Sequence, residues 1–438
     1  MKVKSLIDII AVIIPAILFI LIIVASIIKK INKTLISIIA GLISIIFVLW
    51  YYNFSFAEVL LKLVGREDLG YIKIYMLIIG MNLITGVLYK SDVFQFIALK
   101  TIKLTKGNRI LMFILFGVIT VFVSSFISNL LTIFVIAPIT ILLTAILKTD
   151  AEPYLILEVI LLNVGALITL TSSNLNILVC SLFDINFTEF FILFAPLGFI
   201  LFGITMVSAY FLMRKQLKLP DKTQIRYLQE FDDWSIVKDK KLFYRALIMF
   251  IITMVVIVLF SDYLGLVAIL SGFLMIVFAV KDKEEGLKNI NMNTIIYFAG
   301  IFITLEALKL SGLFDIVGST LGSFLPMNPL LIAIIILWIT GLLSSMVANI
   351  PLALAFSPIV ENLLPFIGNV YTPLLVTALI TGSNLGDNLF PAGDVAIQLD
   401  IVEQQGGKRI KIKKFFKVGF ILSMIQLIIS SFYLYFLI

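Results

Sequence analysis

Hydrophobic residues occur along this chain in runs of about twenty, the length that an α-helix needs to cross a bilayer. Ten such runs predict transmembrane helices, at 5–28, 34–52, 71–89, 154–181, 189–213, 243–261, 264–280, 293–310, 370–402 and 417–437. Two further apolar blocks, 110–147 and 329–366, are interrupted near the middle by polar or helix-breaking residues, and we interpret them as re-entrant hairpins. The pattern predicts an all-α polytopic membrane protein with about ten transmembrane helices and two hairpins.

The chain repeats itself on either side of its main hydrophilic stretch. Residues 124–139 align with 344–359 at a shift of 220, and five of the sixteen positions are identical. At a shift of 221, Asn163-Val164-Gly165 aligns with Asn384-Leu385-Gly386. The predicted organisation is therefore a first repeat at 1–213 (hairpin 110–147, broken helix 154–181), a linker at 214–242, and a second repeat at 243–438 (hairpin 329–366, broken helix 370–402).

The distribution of positive charge predicts the topology. If each half has five spans and one hairpin, the odd number inverts the second half relative to the first. With the linker in the cytoplasm, the loops on that side hold 27 of the 33 lysines and arginines. This agrees with the positive-inside rule, although Lys2 and Lys4 then lie outside. We expect a multi-pass protein of the plasma membrane with an inverted repeat and a cytoplasmic linker.

Composition narrows the functional class. Hydrophobic residues make up 61% of the chain and charged residues 13%, with a mean hydropathy of +1.16. A soluble protein could not bury this much apolar surface, so the net charge of +7 does not indicate nucleic-acid binding. The chain has no histidine and one cysteine, Cys180. This argues against histidine-based catalysis, the usual zinc sites and a disulfide framework, so we expect no enzyme and no cofactor.

Polar residues interrupt the apolar sequence at matched places in the two halves, namely 128–129 and 163–176 in the first, 348–351 and 382–394 in the second. Irregular backbone within a membrane is tolerated only where it lines a protein cavity. An isolated Asn or Ser usually makes an interhelical hydrogen bond, but breaks matched across a repeat indicate a transport site. The candidate cation or substrate ligands are Ser128, Asn129, Asn163, Gly165, Thr169, Ser173, Asn174, Asn176, Asn349, Ser383, Asn384 and Gly386.

Acidic residues at membrane depth are candidates for ion coupling. Asp387 and Asp394 flank the Pro/Gly break of the last polar segment, where a carboxylate can carry a proton or a cation. Glu306 is followed three residues later by Lys309, so it is either a structural ion pair or a coupling residue. Glu158, near a helix start, is either a partner of the helix dipole or functional. We expect no Lys or Arg in mid-membrane, so an anionic substrate would depend on bound cations and helix dipoles.

These segments resemble the ion transporter superfamily, which includes arsenite permeases, sodium–proton antiporters, citrate–metal symporters and sodium-coupled dicarboxylate symporters. SSFISNLLT at 124–132 is similar to the Ser-Asn-Thr hairpin-tip motif of the dicarboxylate members. NVGALITLTSSNLNILV at 163–179 is similar to the family segment NxGGxxTLxGxPPNxLx, and SSMVANIPLALAFSPI and GSNLGDNLFPAGDVA take the equivalent places in the second half. Leu130 and Ala348 replace the Thr and Ser of the two tip motifs.

The resemblance implies a scaffold and a transport domain that moves as an elevator, usually in a homodimer. It also implies sodium as the coupling ion. Carried over, a first cation site would use Ser128, Asn129 and Gly165. A second would use Asn349 and Gly386, with the substrate between the hairpin tips.

The function predicted from sequence is secondary active transport of a small anion, such as citrate or succinate, coupled to sodium or protons by alternating access. Its partners would be this substrate and the lipid bilayer, with no nucleic acid. A sodium–proton antiporter that uses Asp387 or Asp394 is the nearest alternative. An arsenite or other oxyanion efflux permease is another. From a different class, the chain could be an ion channel or a non-transporting membrane scaffold.

Overall fold

The computed structural model describes residues 6–28, 31–53, 55, 58, 70–106, 108–218, 223, 225–226, 230, 232–288, 290–324, 328–390 and 393–438. These residues form helices and turns, and none of them lies in a β-strand. Nine helices of this described part are long and apolar enough to cross a membrane. The all-α polytopic fold predicted from sequence is therefore confirmed.

The described residues of the first half form nine α-helices. They are α1 (Leu6–Ile27), α2 (Lys33–Tyr52), α3 (Gly70–Lys90), α4 (Val93–Lys103), α5 (Arg109–Ser124), α6 (Asn129–Ile146), α7 (Glu152–Gly165), α8 (Asn174–Leu182) and α9 (Phe187–Met213). A short 3₁₀ helix, Leu170–Ser172, lies between α7 and α8.

The second half has the same order of elements. Its helices are α10 (Lys240–Leu259), α11 (Leu264–Ala279), α12 (Lys283–Leu287), α13 (Met292–Leu310), α14 (Leu313–Phe324), α15 (Pro329–Ser344), α16 (Asn349–Ile367), α17 (Thr372–Leu385), α18 (Gly393–Gln404) and α19 (Ile412–Tyr435). Here the 3₁₀ helix Gly386–Asn388 follows α17.

Helices of the first half pack against helices of the second half so closely that their backbones are in contact. Helix α3 of the first half lies against α11 of the second, and α13 lies against α2. Gly80 and Gly300, which the shift of 220 pairs, stand at these crossings. A Cβ on Gly80 would lie 2.2 Å from the Ala268 carbonyl carbon, and one on Gly300 would lie 2.2 Å from that of Ser37. Only glycine permits this approach, so the two halves form a single interlocked core.

The interrupted blocks have matching geometry. Helix α5 joins α6 through the turn 125–128, and α15 joins α16 through the turn 345–348. Asn108 and Asn328, again 220 residues apart, cap the first helix of each pair. Each side chain accepts hydrogen bonds from the backbone N–H groups of the second and third residues after it. Neither α6 nor α16 has a side-chain cap at its start, so their first N–H groups face the adjoining space.

Candidate functional site

A cavity of about 320 Å³ lies where the two halves meet. Ser128 of the first turn, the first residues of α6 and α16, and parts of both broken segments contribute to its wall, as the repeat in the sequence predicts for a transport site. The predicted site residues on the wall are Ser128, Asn129, Ser173, Asn174, Asn349, Asn384 and Asp394. The others on the wall come chiefly from the starts of α2 and α13, and are Lys33, Thr34, Leu130, Ser172, Leu175, Asn291, Asn293, Thr294, Tyr297, Phe298 and Ile350.

Six helices begin at this cavity. The starts of α2, α6, α8, α13, α16 and α18 all place a residue of their first turn on its wall. A helix start carries free N–H groups and a partial positive charge of about half an elementary charge. Side chains of Asn32, Ser173 and Asn291 cap the starts of α2, α8 and α13, whereas α6 and α16 have no side-chain cap. The positive ends of these helices favour a negatively charged ligand, although Asp394 places a carboxylate on the same wall.

The cavity wall also contains an exposed lysine. Lys33, the first residue of α2, lies on the wall with its Nζ 5.3 Å from the ring centroid of Tyr297. The Tyr297 hydroxyl has no hydrogen-bond partner within the described part of the chain, although the residue is only 5% exposed. An ammonium and a hydroxyl donor thus stand beside the helix starts, and an anion need not rely on dipoles alone.

Hydrogen bonds between asparagine side chains on and behind the cavity wall connect the two broken segments. Asn129 Nδ2 donates to Asn163 Oδ1 at 2.7 Å, and Asn163 Nδ2 donates to Asn388 Oδ1 at 3.1 Å. A second link joins Asn384 Nδ2 to Asn176 Oδ1 at 3.0 Å. Asn163, Asn176, Asn384 and Asn388 are all buried. The sequence pointed to three of these four buried asparagines and missed Asn388, although it lies within the quoted segment GSNLGDNLFPAGD.

The second turn is held to its own broken segment by an acid. Asn349 Nδ2 donates to Asp387 Oδ2 at 3.1 Å, and Ser344 Oγ donates to Asn349 Oδ1 at 2.8 Å. Asp387 Oδ1 and Asn129 Oδ1 are buried oxygens without a hydrogen-bond partner in the described chain. They could act as ligands to a small cation, whereas no cluster of three or more Asp, Glu or Cys side chains suited to a metal occurs among the described residues.

Several predicted residues support the site without facing the cavity. A Cβ on Gly165 would lie 1.8 Å from Ser124 Oγ, and one on Gly386 would lie 2.0 Å from the Gly341 carbonyl oxygen. These two glycines therefore serve close packing. Ser383 is buried, and its carbonyl accepts a hydrogen bond from Ser344 Oγ at 2.5 Å.

Two predicted residues lie elsewhere. The Thr169 hydroxyl donates to the Ser125 carbonyl and lines a separate apolar cleft. Glu306 accepts a hydrogen bond from the Tyr71 hydroxyl and lies 4.0 Å from Lys309 Nζ. Lys309 also reaches Glu361 Oε2 at 3.4 Å. The structure thus places Glu306 in a polar cluster away from the cavity, as in the structural alternative considered for it.

Comparison with known proteins decides the family. Residues 9–382 match the family model described as citrate transporter, CitMHS. The chain belongs to the citrate transporter (CitMHS) family. The resemblance to the ion transporter superfamily is confirmed. Chains of this family are membrane transporters, and this one is a multi-pass integral protein of the cell membrane.

Relatives of known sequence support this assignment. The chain is 25% identical to the 46 kDa membrane protein of Mycobacterium leprae over 392 residues, covering 86% of this chain and 90% of the relative. It is 24% identical to the uncharacterized transporter Rv2685 of Mycobacterium tuberculosis, covering 85% and 90%. The human P protein is 25% identical over 442 residues, which cover 82% of this chain and 52% of the P protein.

Two solved transporters share the fold of this citrate transporter family member. The YdaH transporter of Alcanivorax borkumensis matches with a TM-score of 0.61 at 10% identity, covering 83% of this chain and 84% of YdaH. The efflux pump MtrF of Neisseria gonorrhoeae matches with a TM-score of 0.57 at 12% identity, covering 85% and 81%. At these identities the likeness concerns the fold alone.

Proposed function

We propose that this protein is a secondary active transporter of a small di- or tricarboxylate anion, such as citrate or succinate, coupled to sodium or protons. The observation that carries the proposal is the convergence of six helix starts and the Lys33 ammonium on one cavity. The partial positive charges of the helix starts and the Lys33 ammonium favour an anion, whereas Asp394 on the same wall opposes it, so a coupling cation bound with the anion would complete the charge balance. The amides of Asn129 and Asn349 at the two turns supply additional hydrogen-bond donors.

The position of the cavity between matched halves favours alternating access around a fixed site. Each half presents the first residues of one helix, α6 or α16, and part of its broken segment to the substrate. A movement that exposes the cavity to opposite sides of the membrane in turn would carry the substrate across. The unpartnered oxygens Asn129 Oδ1 and Asp387 Oδ1 are candidates to bind the coupling cation near the anion.

Transport by the purified protein in proteoliposomes tests this function. Labelled citrate and succinate are offered with and without an inward sodium gradient, and a pH dye is enclosed in the vesicles. Accumulation of label that depends on the sodium or the proton gradient is the expected result. Absence of both uptake and label counterflow with either anion would contradict the proposed substrate class.

Two asparagine variants test the site itself. Asn129→Ala and Asn384→Ala each remove an amide from the cavity wall, and we expect a large loss of uptake from both. Asn362→Ala is the matched control, because within the part of the chain that the structure describes the Asn362 side chain bonds only to the Pro358 carbonyl on its own helix. Unchanged kinetics in the two cavity variants would show that the anion binds elsewhere.

A sodium–proton antiporter is the second candidate, favoured by the free oxygen of Asp387 and by Asp394 on the cavity wall. In that case a sodium gradient would change the internal pH without any uptake of label. Asp394→Asn or Asp387→Asn would abolish the pH change. A mutant pair with normal sodium-driven pH change would exclude these carboxylates as the exchanging groups.

A further inference from the structure

Glu158 is a fully buried acid that the proposed transport site does not use. It lies near the middle of α7 with no exposed surface. Its Oε1 accepts a hydrogen bond from Thr140 Oγ1 of α6 at 2.5 Å, and its Oε2 has no partner in the described chain. An ionised carboxylate in such surroundings would be very costly unless a cation paired with it.

No cation among the described residues pairs with this carboxylate. The elements packed against α7 are α5, α6, α9, α17, α18, α19 and the 3₁₀ helix 386–388. Helices α6 and α17 carry no Asp, Glu, Lys or Arg. The charged or acidic groups on α7 and on the remaining elements are Arg109, Glu152, Glu189, Asp387, Asp394, Asp400, Glu403, Lys413, Lys414 and Lys417, with the phenols Tyr154, Tyr210, Tyr433 and Tyr435.

The basic groups of this set are engaged elsewhere or lie at the surface. Lys414 Nζ bonds Glu152 Oε2 at 2.6 Å, and Arg109 donates to the Leu217 carbonyl at 3.3 Å. Lys413 and Lys417 are exposed. Within the described chain, Glu158 therefore faces only neutral or acidic neighbours, which favours its uncharged form.

The repeat supplies an internal comparison that argues against a packing role. In the second half, α16 packs on α17 as α6 packs on α7. There Val360 takes the place of Thr140, and Ala378 or Leu379 takes that of Glu158, depending on whether α17 is aligned from its start or from its break. All three are buried. The same helix packing is thus achieved with apolar residues, so the acid–hydroxyl pair is not required for it.

We propose that Glu158 is a proton-binding site of the transporter, and that its proton moves together with the anion. The inference rests on the proposed anion transport, because a proton carried together with the anion would reduce the charge that crosses with the substrate. Thr140 orients one oxygen, and the proton resides on the other. Loss and return of this proton on the two sides of the membrane would couple the proton gradient to transport.

Proteoliposomes with the membrane potential clamped test the coupling. With one proton per anion, an outside pH about one unit lower drives about tenfold accumulation of citrate or succinate, because one unit corresponds to a tenfold ratio. Glu158→Gln is expected to abolish this accumulation, and Glu158→Asp to restore part of it. Glu403→Gln, an exposed acid on α18, is the control and accumulates like wild type. Normal proton-driven accumulation by Glu158→Gln would overturn the proposal.

Thr140→Val separates proton binding from structure, since it removes the same hydrogen bond but leaves the acid. Persisting proton-driven accumulation in this variant supports the proposal, and equal loss in both variants overturns it. A second measurement needs no substrate. The infrared difference between wild type and Glu158→Gln, or Glu158→Asp if the first variant does not fold, should contain a neutral carboxylic-acid band at pH 7.

Absence of this band overturns the proposal whatever the protein transports. If the band is present but wild type shows no citrate or succinate counterflow, the proton site stands and the proposed substrate fails. If wild type accumulates anion with a sodium gradient but not with a proton gradient, the substrate stands and Glu158 is not the coupling group.

Discussion

Asn163 and Asn388 are joined by a side-chain hydrogen bond of 3.1 Å although 225 residues separate them in sequence. Asn163 is at the same time bonded to Asn129 at the first turn, and Asn388 Nδ2 donates to the Ile160 carbonyl at 3.1 Å. The broken segments of the two halves are therefore one connected unit.

Replacement of Asn163 by Ala should destabilise the protein and impair transport. It removes the hydrogen-bond partner of the half-buried Asn129 side-chain amide and leaves the buried Asn388 Oδ1 without a donor, and the latter alone costs about 1–3 kcal/mol. Thermal unfolding in detergent and anion counterflow measure the two effects. Asn362→Ala should change both much less, because among the described residues its side chain makes only a bond within its own helix. A stable, active Asn163→Ala would show that the link is dispensable.

Alanine at Gly386 should be strongly destabilising. The added methyl group would lie 2.0 Å from the Gly341 carbonyl oxygen, which belongs to backbone and cannot rotate away. Overpacking of this kind costs about 1–3 kcal/mol. The matched control is Gly203→Ala on α9, where nothing lies within 4 Å and better helix propensity should make the change neutral or slightly stabilising. Equal melting temperatures for the two variants would contradict this packing.

Neutralisation of Lys33 should weaken anion binding. Loss of a charged hydrogen-bond donor costs about 1.5–3 kcal/mol, so Lys33→Met should raise the KM for citrate or succinate about ten- to hundredfold. Lys33→Arg keeps the charge and should recover much of the affinity. Lys413→Met, at an exposed position on α19, is the control. An unchanged KM in Lys33→Met would indicate that the substrate is neutral or cationic, or that it binds elsewhere.

Glu306 should prove structural. Its contacts are with Tyr71 and Lys309, and it does not line the cavity. Glu306→Gln should therefore lower the melting temperature modestly and leave the ratio of cation-driven accumulation to counterflow as in wild type. Loss of coupling in a stable Glu306→Gln protein would return this residue to the transport mechanism.

The sequence predicted the helices well because apolar runs and polar interruptions depend only on neighbouring residues. The internal repeat is found by aligning one half of the chain with the other. The boundaries of α13 and α19 lie within a few residues of the predicted spans, and the turns fall at Ser128 and Ala348 as expected. Asn129 and Asn349 were identified as site residues because the repeat aligned them. Inversion of the repeat, elevator movement and the homodimer stay predictions.

The sequence by itself thus determined the class of the protein, its helical elements and the polar breaks at which substrates and ions are expected. Only the tertiary structure decided which polar residues meet. Lys33 looked like an ordinary lysine of a positive loop, and Asn388 like one polar residue among several in its segment. Both take their roles from helices far apart in sequence that pack crosswise between the halves. Periodicity records which face of a helix is apolar, whereas the partner of a polar side chain depends on how those faces assemble.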